Sequence, residues 1–376
     1  MPENASLARD AGTLRVLVVA GGTGGHIFPA LAVAEELALR RNTYLLPSVL
    51  FQFLGTARGL EARLIEAAGF PYSTLPAAGL KGIRGWSRVR NAAILPRTFV
   101  EALGVLRTFR PDVVFGMGGY VAGPVLLEAA LLRVPTVLME PNAAPGFTNR
   151  ALVPFVTLAA VGLEETARHF GSKARVTGLP VRGAFFKIPP REHRSPLTIL
   201  VFGGSQGSAA LNCCLAGAAP LVAARSFRII HQTGVHDADW VSAAYQQAKV
   251  SAEVRDFIDD MPAAFDCADL VISRAGASTI GELTAAGKAA VLVPFPGATD
   301  QHQLRNARAL ERAGAARVLE QSLLTPQRLV RVIDEFVASP GRLVEMEKCA
   351  HALARPAAAA RLADLIEDLG RKRRRG

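Results

Sequence analysis

Two glycine-rich turns, each directly after a short apolar run, most constrain what this chain can fold into. The first turn is residues 21–25, after the run 14–20, and the second is residues 203–207, after the run 197–202. Both runs are rich in β-branched residues, as buried parallel strands are. A helical pattern follows each turn, and a glycine turn between strand and helix lets backbone N–H groups approach an anion. Two such units predict two Rossmann-like domains that face one another across a cleft, which suits a ligand carrying a diphosphate.

Strand and helix patterns alternate along the chain, which predicts an α/β protein with two doubly wound parallel sheets. Its 376 residues are enough for two ordinary domains. Proline and charge cluster at residues 179–196, so we place the domain boundary there. The N-terminal domain then spans residues 13–181 and the C-terminal domain residues 182–356. A predicted last helix, 357–370, closes the second domain or crosses back to complete the first, and residues 371–376 form a basic tail.

The net charge of +11 predicts an acidic partner. Between residues 79 and 110, basic residues alternate with apolar ones, and Glu101 is the single acid. Such a mixture favours an anionic membrane surface over nucleic acid, although a solvated helix face with core aliphatic residues is the alternative. The predicted membrane patch consists of Lys81, Ile83, Arg84, Trp86 and Arg88. No apolar run is long enough to span a bilayer, and residues 1–12 lack the order of a signal peptide, so we expect a cytosolic protein.

The glycine turns do not match the common nucleotide fingerprints. Ile27 stands where a nicotinamide-binding turn has its third glycine. Residues 276–281 have the glycine spacing of a P-loop, but Glu282 and Leu283 follow in place of Lys and Ser/Thr. A third glycine turn, residues 116–124, is either a simple strand-to-helix connection or a further wall of the same crevice.

A few polar residues beside these turns are candidates for chemistry. His26 stands at a predicted helix start, where it either caps and packs or serves as a base in the cleft. Glu282 is either a solvated helical carboxylate or an acceptor for both hydroxyls of a ribose. Asp237 and Asp239 form a D-x-D pattern that some sugar transferases use for a metal, but aspartates in a turn before a helix commonly cap it. We therefore predict no metal site.

Eight segments carry a resemblance to one family. They are GGTGGHIFPALA at 21–32, GGYVAGP at 118–124, EPN at 140–142, GLPVR at 178–182, GGSQG at 203–207, FIDDM at 257–261, SRAGASTIGE at 273–282 and DQHQ at 300–303. In this order they resemble the MurG family of bacterial N-acetylglucosaminyltransferases, in glycosyltransferase family 28. Two positions depart from the family pattern, because Pro141 stands where Gln is usual and Leu179 where Asn is usual.

The resemblance implies a GT-B fold and a specific reaction. N-acetylglucosamine (GlcNAc) would pass from UDP-GlcNAc to the 4-hydroxyl of MurNAc in undecaprenyl-diphospho-MurNAc-pentapeptide (lipid I). The product would be the β-1,4-linked lipid II of peptidoglycan synthesis, formed by inverting direct displacement. The resemblance also implies a peripheral place at the cytoplasmic face of the plasma membrane and cell-wall synthesis proteins as further partners. We expect no cofactor, since UDP-GlcNAc is a substrate, and the mixed basic and apolar residues predict no nucleic-acid partner.

The resemblance also assigns site residues by motif position. His26 would be the catalytic base, with Glu140 as the second candidate. For the nucleotide, the assignments are Ser205 and Arg182 at the diphosphate, Ile258 at uracil and Glu282 at ribose. A predicted helix start would bind a phosphate through Ala277, Ser278 and Thr279, and the helix continues with Ile280 and Gly281. The sugar hydroxyls would contact His302 and Gln303, and the residues beside the reacting carbon would be Thr23, Gly24, Gly25 and Asn142. The alternatives are another GT-B enzyme acting on a lipid acceptor or a UDP-sugar, and a non-enzymatic, membrane-recruited scaffold that binds UDP-sugars.

Overall fold

The computed structural model describes residues 13–21, 24–44, 48–56, 61–76, 86–193, 195–223, 225, 227–298 and 301–375, without the side chains of 42–44 and 86–93. The chain divides into two compact units. The first comprises Met1–Glu140, Pro145–Thr177 and Ala357–Gly376, and the second comprises Pro141–Ala144 and Gly178–Pro356. Each unit is built on one parallel sheet, so the predicted α/β class with two such sheets is confirmed.

The first unit contains strands β1 (Leu14–Val19), β2 (Val49–Gly55), β3 (Tyr72–Thr74), β4 (Val113–Gly116), β5 (Thr136–Glu140), β6 (Leu158–Val161) and β7 (Ala174–Val176). Its helices are α1 (Gly24–Tyr44), α2 (Glu61–Ala67), α3 (Trp86–Phe109), α4 (Gly119–Leu131), α5 (Phe147–Leu152) and α6 (Glu164–Ala167). The strand order is β3-β2-β1-β4-β5-β6-β7, and every pair is parallel. β1, β4 and β5 are buried along their whole length, as strands covered on both faces are. The order reverses at β1 and β4, so the segments after these neighbouring strands leave the sheet at the place where such sheets bind ligands.

The second unit contains strands β8 (Leu197–Phe202), β9 (Phe227–Gln232), β10 (Ala252–Arg255), β11 (Leu270–Ser273), β12 (Ala290–Leu292) and β13 (Ala316–Val318). Its helices are α7 (Ala209–Val222), α8 (Ala238–Gln247), α9 (Met261–Cys267), α10 (Ala277–Ala286), α11 (His302–Arg312), α12 (Pro326–Val337) and α13 (Pro340–Ala352). The parallel sheet has the order β10-β9-β8-β11-β12-β13. Alternate residues of β8 enter two separate cores, with Val201 in one and Leu200 in the other, because both faces of the sheet are covered.

The last helix, α14 (Ala358–Arg375), belongs to the first unit and packs on α1, β1 and β4. Gly370 lies so close to Leu14 that a side chain there would overlap it. Arg374 pairs with the buried Asp112, whose Oδ2 lies 3.2 Å from Nη2. Residues 371–375 therefore continue this helix, where the sequence suggested a separate basic tail. None of the described helices is both long and apolar enough to cross a bilayer.

Candidate functional site

The glycine turn between β8 and α7 is fixed by close backbone packing. Gly204 and Gly207 have φ angles of +97° and +76°, which favour glycine. A side chain on Gly207 would also overlap the carbonyl of Thr233. Ser208 accepts a hydrogen bond from the first turn of α7 at 3.4 Å and so caps this helix. Ser205, the predicted diphosphate contact, lies half-buried in the turn itself.

One buried side chain, absent from the sequence-based site, connects this turn to Ile258. Gln232 ends β9 and is 1% exposed. Its Nε2 donates to the carbonyl oxygen of Gly204 at 2.8 Å, and its Oε1 accepts from the N–H of Ile258, also at 2.8 Å. The predicted diphosphate turn and the predicted uracil contact are thus held by the same amide. Its position at the carboxyl end of a strand was the available sequence signal.

The start of α10 presents backbone amides at the carboxyl edge of the second sheet. Gly276 precedes the helix, and within the described chain no side chain caps it. The N–H groups of Ala277, Ser278 and Thr279 therefore lie at the positive end of the helix dipole without a side-chain acceptor. This geometry agrees with the predicted phosphate contact, because such a helix start favours an anion.

Two residues of α11 fix the backbone just before this helix start. Oε1 of Gln303 accepts from the N–H groups of Ala275 and Phe295, at 3.3 and 2.9 Å. Nδ2 of Asn306, which the sequence analysis did not select, donates to the carbonyl of Ala275 at 3.2 Å. The carbonyl end of Gln303 is therefore used inside the protein, so its amide NH₂ is the end that can bind sugar hydroxyls. His302 begins α11 and is half-buried.

Glu282 and Arg182, predicted to contact different parts of the nucleotide, lie next to each other. Oε1 of Glu282 is 3.5 Å from Nη2 of Arg182, and Glu282 is 7% exposed. Burial raises the pKa of Glu282 to about 7, while the charge of Arg182 and its hydrogen bond oppose the rise. Arg182 also lies over the ring of Phe185, 5.1 Å from its centroid. The carboxylate and the guanidinium thus lie side by side, where one ligand can contact both. Glu282 is one turn after the start of α10.

The segment before Arg182 packs against the same turn of α10. A Cβ on Gly281 would lie 2.9 Å from Val181 and 3.0 Å from Leu179, so no larger residue fits there without a shift. Leu179, where the family usually has Asn, thus contacts the helix through apolar atoms. Ile280 is half-buried beside them.

In the first unit, His26 lies in the first turn of α1. Its Nδ1 is 2.9 Å from the carbonyl oxygen of Gly21. Because a carbonyl only accepts, Nδ1 carries the proton, and the lone pair of the neutral ring lies on Nε2. Gly119, at the start of α4, lies against the ring, since a Cβ there would be 3.4 Å from Cε1. Gly24 and Gly25 begin α1.

Glu140 is placed to hold backbone rather than to face solvent. It ends β5 and is 1% exposed. Its Oε2 accepts from Nδ2 of Asn149 at 2.8 Å and from the N–H of Gly146 at 3.1 Å. The carboxylate therefore fixes the start of α5. Asn142 is half-buried in the segment between, after the buried Pro141.

Asp237 lies directly before α8, as predicted, but the predicted cap is wrong. Its carboxylate makes no cap hydrogen bond with the helix backbone and instead accepts from Nε1 of Trp240 at 3.0 Å and from Nδ2 of Asn212 at 2.7 Å. The hydrogen bond from Trp240, followed by that from Asn212, lowers the pKa of Asp237. Asp239 is exposed in the first turn of α8. Across the residues that the structure describes, His, Cys, Asp and Glu nowhere gather in a group of three or more suited to a metal.

Several predicted residues lie outside the described part of the chain. They are Thr23, Lys81, Ile83 and Arg84, and the side chains of Trp86 and Arg88 in α3. Farther along α3, Ala102 and Leu106 enter the core while Val100 is 71% exposed, so the described part of this helix has one buried and one exposed face.

Known proteins resemble this chain over most of its length. The model of the glycosyltransferase family 28 N-terminal domain matches residues 16–161, and that of the C-terminal domain matches residues 198–368. The chain is 44% identical over 366 residues to a protein of Anaeromyxobacter dehalogenans, covering 96% of this chain and 94% of that one. It is 45% identical over 359 residues to a protein of Solibacter usitatus, covering 94% and 96%. Both relatives are named UDP-N-acetylglucosamine–N-acetylmuramyl-(pentapeptide) pyrophosphoryl-undecaprenol N-acetylglucosamine transferase. The crystal structure of Acinetobacter baumannii MurG superposes with a TM-score of 0.72 at 34% identity, covering 94% of this chain and 99% of that one.

Proposed function

The chain belongs to glycosyltransferase family 28, and we propose that it transfers GlcNAc from UDP-GlcNAc to the 4-hydroxyl of MurNAc in lipid I, forming lipid II. The observation that carries the donor half is the buried pair of Glu282 and Arg182, one turn inside the open start of α10. The carboxylate accepts the two ribose hydroxyls, and the guanidinium and the helix amides bind the diphosphate. The C-terminal domain then holds the donor, and the N-terminal domain holds the acceptor.

The proposed reaction is a direct displacement at the anomeric carbon. The acceptor oxygen attacks from the face opposite UDP, a new C–O bond forms, and the bond to the diphosphate breaks with its electron pair leaving on UDP. Nε2 of His26 takes the hydroxyl proton. The charge on the leaving diphosphate is stabilised by Arg182, the turn at Ser205 and the amides of α10, which need no reorganisation during the reaction. Glu140 acts as a positioning residue through its hydrogen bonds to Asn149 and Gly146.

A single assay tests this function. Purified chain, UDP-GlcNAc and a lipid I analogue should yield a β-1,4-linked disaccharide product and one UDP per transfer. Epimerisation of UDP-GlcNAc without acceptor would instead show a UDP-sugar epimerase, and transfer to diacylglycerol would show a different lipid acceptor. Binding of UDP-GlcNAc with no turnover under any of these conditions would show a scaffold.

We predict that catalysis needs no metal. Activity should survive excess chelator, and the double variant Asp237→Ala/Asp239→Ala should keep its turnover, because Asp237 binds Trp240 and Asn212 instead of a ligand. Initial rates with and without chelator, and with added Mg²⁺, measure this. A strict requirement for Mg²⁺ would contradict the proposal that a helix start and Arg182 stabilise the leaving group.

We also predict that Glu282 and Gln303 affect different parts of the donor. Glu282→Ala should weaken UDP and UDP-GlcNAc alike, because both carry the ribose. Gln303→Ala should weaken UDP-GlcNAc more than UDP, because only UDP-GlcNAc carries the sugar, while the lost hydrogen bonds from Ala275 and Phe295 loosen the start of α10 for both ligands. Losing a hydrogen bond to a charged group costs about 1.5–3 kcal/mol, or roughly tenfold and more in affinity. Calorimetric titration of both variants with both ligands measures these effects.

The pH dependence of donor binding provides the control for Glu282. Ribose hydroxyls donate to the ionised carboxylate, and the pKa of Glu282 is raised to about 7. The affinity for UDP-GlcNAc should therefore fall as the pH drops below 7, and Glu282→Gln should remove this dependence. Unchanged UDP affinity in Glu282→Ala, or an unaltered pH profile in Glu282→Gln, would exclude the ribose assignment.

We propose that the N-terminal domain attaches to the cytoplasmic face of the plasma membrane, where lipid I lies. Vesicle co-sedimentation should show binding that needs anionic lipid and weakens with salt, since each basic residue near such a surface contributes about 1 kcal/mol. Charge reversal to Glu at the three basic positions of the predicted patch should reduce binding by about a hundredfold or more, on the order of 1 kcal/mol for each reversed charge. The patch variant reverses Lys81, Arg84 and Arg88, and the matched control reverses the exposed Arg371, Lys372 and Arg375 of α14. A larger loss in the control would show that α14, and not the patch, binds the membrane.

A further inference from the structure

We propose that Gln232 is a positioning residue of the donor site, holding the diphosphate turn and the uracil-binding backbone in one fixed arrangement. The sheet order places β9 between β8 and β10. Gly204 follows β8 and Ile258 follows β10, so the side chain at the end of the middle strand reaches both neighbouring loops. This inference rests on the proposed function of the second unit as the UDP-GlcNAc site.

The chemistry of the amide suits this bridge. One loop offers a carbonyl and the other an N–H, and a primary amide both donates and accepts. The two 2.8 Å contacts therefore fix which end of Gln232 faces which loop. Gln232 is 1% exposed and Ile258 is 5% exposed, so the N–H of Ile258 would lose its acceptor away from water, which is costly. The carbonyl of Gly204, in the half-buried turn, would keep the N–H of Gly207 and lose the donor that fixes its direction.

The two hydrogen bonds also orient the backbone groups on the far side of each peptide bond. In a trans peptide the C=O and N–H point in opposite directions. The carbonyl of Gly204, held by Gln232 and by the N–H of Gly207 at 3.0 Å, turns the N–H of Ser205 the other way, where it can donate to a phosphate. The N–H of Ile258, held by Gln232, likewise turns the carbonyl of Phe257 away, as an acceptor suited to the N3–H of uracil.

Two substitutions separate the halves of this bridge. Gln232→Met is close in size and removes both hydrogen bonds. Gln232→Glu, assayed at a pH above which its UDP affinity no longer changes so that the carboxyl is ionised, still accepts from Ile258 but has no proton for Gly204. The control is Tyr245→Phe, which removes one buried hydrogen bond, to His231, in the same unit without touching either loop. All variants are the full chain, titrated with UDP and, by displacement of UDP, with uridine.

The expected result is a contrast between ligands. Gln232→Met should weaken UDP by about tenfold or more and uridine as well, since both loops lose their partner. Gln232→Glu should weaken UDP by about tenfold but uridine by less than about twofold, because only the diphosphate turn is released. A residue that merely stabilises the fold would change both ligands equally, as thermal unfolding of the unliganded variants reveals. Tyr245→Phe should bind both ligands like the wild type.

The outcomes also separate this inference from the function on which it rests. A wild-type chain that binds no UDP contradicts the donor site as a whole. Wild-type binding combined with unchanged UDP affinity in both Gln232 variants overturns the inference alone, and so does an equal loss of UDP and uridine affinity in Gln232→Glu. If Gln232→Met fails to fold, the ligand contrast in Gln232→Glu decides the question.

Discussion

Replacing His26 with alanine is expected to lower turnover by about 10²–10⁴-fold, the usual contribution of a positioned base, while leaving UDP affinity nearly unchanged. The hydrogen bond from Nδ1 to Gly21, at 2.9 Å, leaves Nε2 as the nitrogen that takes the proton of the acceptor hydroxyl. The groups proposed to bind UDP, such as Glu282 and Arg182, belong to the second unit. Initial rates at saturating UDP-GlcNAc and lipid I analogue, with a parallel UDP titration, measure both quantities.

Two further variants sharpen this test. His26→Asn keeps a side-chain donor for Gly21 but offers no basic nitrogen, so it should be as slow as His26→Ala. His169→Ala is the matched control, because His169 is an exposed histidine of the first unit. Near-normal turnover in His26→Ala would eliminate His26 as the base. An equal loss of turnover and UDP affinity would instead show a structural role.

The sequence predicted the central strands because burial on both faces leaves short, mostly apolar runs, in which Arg15 of β1 and Thr198 of β8 are the polar exceptions. β1 and β8 are examples, and both are buried along their whole length. The short strands β3 and β7 were not predicted. Each has three residues, and most of them are exposed, so their extended conformation comes from hydrogen bonds to the neighbouring strand rather than from their own pattern.

The glycine turns of the site could be predicted from the local sequence, but the side-chain pairs of the site could not. Positive φ angles at Gly204 and Gly207 favour glycine, so the residue type at these positions indicates the turn in the sequence itself. The pairing of Arg182 with Glu282 joins residues far apart in the chain and depends on how the segment before β8 meets α10. The role of Gln232 is harder still to predict from the sequence, because its contacts with Gly204 and Ile258 depend on the order of the strands in the sheet.

The predicted D-x-D cap shows the same limit at shorter range. The sequence located Asp237 before a helix correctly, but Asn212, on α7, competes for its carboxylate and accounts for one of its two hydrogen bonds. Whether a local or a distant donor bonds to a carboxylate depends on three-dimensional geometry, and the spacing of residues in the sequence does not give that geometry. Local conformation was therefore easier to predict than side-chain partners.

The largest stability effect is expected at His193, in the segment that leads into β8. Its side chain is 1% exposed, with Nδ1 3.0 Å from Asp269 Oδ1 and Nε2 3.0 Å from Glu347 Oε2. Ionised carboxylates only accept, so both ring nitrogens carry protons and the ring is an imidazolium. The hydrogen bonds that His193 donates to Asp269 and then to Glu347 raise the pKa of its ring to about 9. These two contacts join the segment, through a buried charge, to the residue directly before β11 and to α13.

The sign of the pH dependence follows from that raised pKa. An unfolded histidine titrates near about 6.5, so the stabilisation is fully present below that pH and is lost as the pH rises through about 9. A shift of this size corresponds to about 3 kcal/mol of the free energy of unfolding. Burial raises the pKa of Asp269, but hydrogen bonds from His193 and the N–H of Thr198 outweigh it and lower that pKa, so the carboxylate stays charged opposite the ring at neutral pH.

His193→Ala should therefore cost about 3 kcal/mol near pH 7, because both carboxylates lose the imidazolium between them, while Asp269 keeps the exposed Arg191, whose Nε lies 3.2 Å from its Oδ1. Urea unfolding measures this, followed by the fluorescence of Trp240 in a Trp86→Phe background so that the second unit is observed. Arg225→Ala, which breaks an exposed pair, is the control and should change stability by less than about 1 kcal/mol. The difference between wild type and His193→Ala should shrink as the pH is raised from 7 to 10, because the wild type loses its charged ring there. A difference below about 1 kcal/mol at pH 7, or one that stays constant to pH 10, would show that the two carboxylates are stable without the imidazolium.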